Sequence, residues 1–149
     1  MNYNTKINKL HYINGYIKEI ENKIDEKTKE GLKIKFKCLK DLVEELINEE
    51  KIKMLGKRGL IWVNIKENDE IKRIPAKILD IDRVKCFITV NNEGRFEVRE
   101  YFTSSKVSWG WTKEKAIEEA TSIIKNYFQN HSYSEFMQKV KEMGIINEK

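Results

Sequence analysis

The spacing of apolar residues changes twice along this chain, and those changes limit the fold more than any other feature. Between residues 10 and 47 apolar residues recur every three or four positions: Leu10, Ile13, Ile17, Ile20 and Ile24, then Leu32, Phe36, Leu39, Val43 and Leu46. Each series lays one stripe along a helix. Between 60 and 102 the period falls to two, and β-branched and aromatic residues dominate. That pattern belongs to strands in a sheet. After residue 112 the helical period returns with Ala116, Ile117, Ala120, Ile123, Ile124, Tyr127 and Phe128. The expectation is an α+β fold over a single domain, 1–149. An N-terminal antiparallel helical hairpin (1–50) precedes a basic β segment (51–110) holding an antiparallel sheet of about four strands. Two C-terminal helices (111–149) follow, with the helices covering one face of the sheet.

Local signals sharpen the elements. The polar stretch Asp25–Gly31 separates the first two helices, and a short connection favours antiparallel packing. Asn14-Gly15 competes as a turn, and Leu32–Cys38 also alternates as a strand would. The unbroken helical period through Leu39–Ile47 decides for helix. Strands are expected near Leu60–Lys66, Ile71–Leu79, Val84–Val90 and Arg95–Phe102. Gly56 and Gly59 flank a basic turn at Lys57-Arg58, and Asn91-Asn92-Glu93-Gly94 is a hairpin turn. Pro75 has no N–H for a ladder, which places its strand at an edge or at a bulge. Thr112 is a helix N-cap, Ser132 with Glu135 fits a capping box, and Gly144 stops the last helix.

Charge enters the argument through its distribution. The chain carries 29 Lys+Arg against 24 Asp+Glu, a formal net charge of +5. Residues 1–50 and 111–149 are each balanced, so the whole excess lies in 51–110, with all five arginines. Lys outnumbers Arg 24 to 5, and Ile and Asn are abundant. An AT-rich coding sequence explains part of the basicity but not its segregation. A basic β segment suits an anionic partner.

The hairpin 84–102 carries the most information. Val84, Cys86, Ile88, Val90, Phe96 and Val98 share its core face. The opposite face shows Lys85, Phe87, Thr89, Arg95, Glu97, Arg99 and Tyr101. Rings among cations suit a single strand or nucleotide: Phe87 and Tyr101 would stack on bases while Lys85, Arg95 and Arg99 meet phosphate. Arg73 and Lys77 on a neighbouring strand would support them. The alternative is that both rings lie under a helix or a neighbouring chain. Trp109-Gly110-Trp111, after the loop Thr103–Ser108, serves either as a recognition clamp or as an anchor between sheet and helix.

Other chemistries find little support. His11 and His131 stand apart from any Cys, Ser or Asp motif, and Asp80 and Asp82 alone are a poor metal site. No phosphate-binding glycine fingerprint occurs. Cys38 and Cys86 lack zinc spacing and read as buried free thiols of a reducing cytoplasm. A basic turn after a helix suggests a winged helix, but Glu44, Glu45, Glu49 and Glu50 on that helix would repel DNA. No segment suits a membrane span or a secretory signal. The chain is therefore expected to be a non-enzyme without cofactor or metal, cytoplasmic, with no membrane partner.

The stretch Arg83–Asn130, under a third of the chain, contains Gly110-Trp111-Thr112-Lys113-Glu114-Lys115-Ala116 at a helix start. It resembles the three-strand-plus-helix units of phage-integrase arm-binding domains and of some antitoxin domains. The resemblance transfers no functional residue and implies only a phage or mobile-element origin. Two functions are consistent with these features. One is binding of nucleic acid or a nucleotide through the basic β surface. The other is a small phage-type inhibitor of a host defence system, such as an anti-CRISPR protein, which binds a host protein through its helical hairpin. The same hairpin is a candidate for forming a homodimer.

Overall fold

Two helices, five strands and two helices follow one another along residues 5–148, which the computed structural model describes. They are α1 (Thr5–Lys23), α2 (Glu26–Leu55), β1 (Leu60–Glu67), β2 (Glu70–Ile81), β3 (Val84–Val90), β4 (Phe96–Glu100), β5 (Lys106–Gly110), α3 (Lys113–Asn130) and α4 (Tyr133–Met143). α1 runs unbroken through Asn14-Gly15. The α1–α2 connection is tighter than the polar stretch implied, because Asp25 caps α2 directly by accepting from the Thr28 N–H. The Lys6–Glu50 and Lys40–Glu21 ion pairs, at 2.9 and 3.0 Å, fix the antiparallel register.

The seam between α1 and α2 differs from the apolar stripes. Its buried and half-buried positions include Ile7, Leu10, Asn14, Ile17 and Glu21 on α1 and Ile24 just past its end, facing Phe36, Lys40, Val43 and Ile47 on α2. Steps of three and four alternate strictly, as in a coiled coil. Polar Asn14, Glu21 and Lys40 therefore take seam positions, while Ile13, Ile20, Leu39 and Leu46 stand exposed on the flank. Cys38, expected buried, is exposed because it lies on the side of α2 away from the seam. Cys86 is buried, and burial pushes its thiol up to about 12.

The sheet is an antiparallel meander in the order β1-β2-β3-β4-β5. β5 was not anticipated; it pairs with β4 across a register shift at Val98/Arg99. β2 is an inner strand rather than an edge. Pro75 is tolerated there because the ladder to β3 spans only Lys77–Ile81 and ends before it. Thr112 and Ser132 cap α3 and α4, and the Ser132–Glu135 capping box is complete. α3 lies close on β5: a Cβ on Gly110 would come within 2.8 Å of the Ala116 nitrogen.

Each face of the sheet is buried by a different partner. Val84, Cys86, Ile88, Val90, Phe96 and Val98 pack under Ile47 and Leu55 of α2 and Ala116, Ala120 and Ile124 of α3. The other face closes on itself, enclosing Val63, Ile65, Ile74, Ala76, Phe87 and Tyr101. Arg99 of β4 donates to Glu67 of β1 at 2.8 Å although two strands intervene. In a flat sheet that span would be about 14 Å at ~4.8 Å per strand. The Lys66 N–H also donates to Ser104 Oγ at 3.1 Å. Asn147 completes the closure. Its Oδ1 accepts from the Asn64 N–H, and its Nδ2 donates to the carbonyls of Asn64 and Tyr101.

Candidate functional site

The curl decides where each expected binding residue sits. Phe87 is 0% exposed and lies inside the closed face, with no ring surface open to a base. Tyr101 is buried beside it; its hydroxyl donates to the Glu148 carbonyl, and Lys85 Nζ stands 3.9 Å over its ring. Arg99 is 5% exposed. Its guanidinium donates to Glu97, to Glu67 and to the Ser104 carbonyl at 2.8–3.0 Å. The open stacking surface expected on 84–102 is therefore corrected to a second core. The division of the hairpin's residues between two faces was right, but the sheet rolls the second face inward.

Glu97 shows what holds that core's polar rim. Burial raises its carboxyl, but Arg99, Asn91 and Lys106 outweigh burial and leave the pKa lowered. Lys51 of α2 is buried at the same mouth, near Glu44, Glu67 and Glu97, and burial pulls its pKa down. A neighbouring cleft of about 290 Å³ lies between α1 and the β3–β4 turn, lined by His11, Asn91, Arg95, Glu97 and Trp109 among others. Arg95 pairs with Glu93 and covers Trp109 at 4.4 Å and Trp111 at 5.3 Å. The two indoles meet edge to face at 5.9 Å. The two tryptophans and Arg95 thus form one cluster, with Trp109 on β5 half open to solvent.

The remaining cations divide cleanly. Arg83 lies over Phe128 and Tyr133, so four of the cations around the 84–102 hairpin (Arg83, Lys85, Arg95, Arg99) are engaged by rings or carboxylates. Arg58, Arg73, Lys57, Lys66 and Lys77 form no ion pair among the described residues. Three of these, Lys66, Arg73 and Lys77, share a face of β1 and β2 with Trp62, which is 41% exposed. On β1, Ile61, Val63 and Ile65 face the closed core, so alternation turns Trp62 and Lys66 outward. Pairing sets Trp62 against Pro75, with Arg73 and Lys77 as its diagonal neighbours on β2. No acid shares this outer face of β1 and β2. The Lys77 amine lies 3.2 Å from where a Gly56 Cβ would be, next to the Lys57-Arg58 turn.

Sequence reasoning had Arg73 and Lys77 but missed Trp62. The signal was the period-two pattern of Leu60–Lys66 combined with the β1–β2 register. Elsewhere, His131 stacks on Tyr127 and meets Glu135, and Asp82 occupies the β2–β3 turn at φ 56°. Among the described residues no three His, Cys, Asp or Glu side chains cluster as a metal site, and no helix is long and apolar enough to cross a membrane. No protein-family model, no curated protein and no solved structure matches this chain.

Proposed function

We propose that the chain is a non-catalytic binding protein that holds single-stranded nucleic acid on the outer face of β1 and β2. The observation that carries this reading is Trp62, open to solvent between Arg73 and Lys77, with no acid on that face. A base stacks on the indole, and the unpaired cations meet the flanking phosphates. Lys66 and the Lys57-Arg58 turn extend the cationic track at either end. Arg99, Phe87 and Tyr101 support the closed face of the sheet instead of touching the ligand. A phage or mobile-element origin belongs to this reading through the 110–116 resemblance alone.

Fluorescence anisotropy with a labelled single-stranded oligonucleotide tests it. Trp62→Ala should weaken binding by the ~1–3 kcal/mol that one stacked base contributes. Arg73→Ala with Lys77→Ala should flatten the plot of log affinity against log salt, by about 0.7 per lost phosphate contact. Lys125→Ala on α3 serves as the control. Affinity that ignores Trp62 and both cations would remove β1–β2 as the site.

A further inference from the structure

We propose that the outer flank of the helical hairpin joins two copies of this chain, with the twofold axis passing Leu42. The seam assigns every residue of α1 and α2 a place in the heptad. Ile13 and Ile20 immediately precede seam residues Asn14 and Glu21; Leu39 and Leu46 immediately precede Lys40 and Ile47. These four therefore hold the same heptad position. Two antiparallel helices are related by a local twofold axis perpendicular to their plane, which keeps equivalent positions on one side of the pair. Ile13, Ile20, Leu39 and Leu46 thus share one flank, and Tyr16 and Leu42 extend it. All six are 39–61% exposed.

The other flank is already used. Its residues His11, Glu44 and Lys51 line clefts against the sheet's turns and mouth. The sheet therefore sits on the polar flank, and the apolar flank faces away from it. With Tyr12 that flank leaves seven large apolar side chains open on one side of the hairpin, and an apolar run of that kind marks an interaction surface.

Charge selects the occupant. Along α2 the flank reads Lys35, Leu39, Leu42, Leu46, Glu49. Turned end for end, it matches itself: Leu42 meets Leu42, Leu39 meets Leu46, and Lys35 meets Glu49. A second copy supplies this match at every position, as an isologous contact requires. The α1 row runs Lys9, Ile13, Tyr16, Ile20, Lys23, with lysine at both ends. It lacks the opposite-charge match of the α2 row, so α2 carries the central contact.

Sedimentation equilibrium of the full chain across micromolar concentrations tests the proposal. The expected result is a reversible dimer. Leu42→Lys should weaken it on the order of 30-fold or more, as loss of a central contact does. Lys35→Glu and Glu49→Lys should each weaken the dimer, and the double exchange should restore it. Circular dichroism checks that the variants stay folded, which surface positions favour. A monomer at all concentrations overturns the proposal and returns this flank to a foreign protein, as a host-defence inhibitor would use it. A dimer indifferent to Leu42→Lys overturns it too, and so does a double exchange that fails to restore association.

Discussion

Lys51 is a cation that the fold buries at a cost. It is 5% exposed and forms no ion pair among the described residues, although Glu44, Glu97 and Glu67 lie near enough to favour its charge. Burial outweighs them, so its pKa in the folded chain lies below the ordinary lysine value. Between the folded value and about 10.4 the unfolded chain binds more protons, so folding stability rises with pH there. Below the folded value the penalty is constant and complete. Lys51→Met should raise stability near neutral pH by about 1 kcal/mol, since an apolar side chain needs no hydration. It should also abolish the alkaline rise. Urea unfolding at several pH values measures both, and a Lys51→Met chain less stable than the parent at neutral pH would show that the nearby carboxylates dominate. At this scale the sequence was a good guide to faces and a poor one to exposure. The parity of Val84, Cys86, Ile88 and Val90 placed them in the helix-covered core, where they are. The same parity put Phe87 and Arg99 opposite, correctly, but whether that side is open depends on β1 reaching β4. No local pattern carries that information.

The C-terminal segment acts as an element without being one. Beyond α4, the Ile146 and Asn147 N–H groups donate to the Phe102 carbonyl, and the Asn147 side chain bridges β1 to Tyr101. It covers the edge of β1 that a meander would leave open to other chains. Asn147→Ala should lower stability by about 2 kcal/mol, because the Asn64 N–H loses its acceptor inside a half-buried joint. Thermal unfolding reads the loss, and hydrogen exchange should quicken at the Asn64 amide. An unchanged melting temperature would mean that water replaces the clasp without cost. The clasp was invisible in the sequence because one asparagine among polar neighbours has no period. β5 was missed for a related reason: five residues, Lys106–Gly110, are too few for alternation to stand out beside Trp-Gly-Trp. Caps fared better, since Thr112, Ser132 with Glu135, and Gly144 act within one turn. The helical hairpin was legible as two helices, but its seam was not. Apolar residues occupy both seam and flank, and only the steps starting from Ile7 tell them apart.

At the scale of the whole molecule, the two proposals make a joint prediction that neither makes alone. A dimer built on the hairpins carries two copies of the Trp62 face. A strand long enough to reach both is held twice, and the second contact forms at the high effective concentration set by the first. A strand of about ten nucleotides fills a single site and gains nothing from the second. Wild-type chain and Leu42→Lys should therefore bind the short strand equally. On a strand several times longer the wild type should bind tighter, by about 100-fold if both sites engage without strain. Trp62→Ala should weaken binding to both strands in either background, which separates loss of the site from loss of the dimer. Anisotropy titrations of four proteins against two strands give the answer. Equal affinity of wild type and Leu42→Lys for the long strand would mean that the paired hairpins hold the two Trp62 faces where one strand cannot reach both. Dimerisation would then organise the ligand by bringing separate strands together.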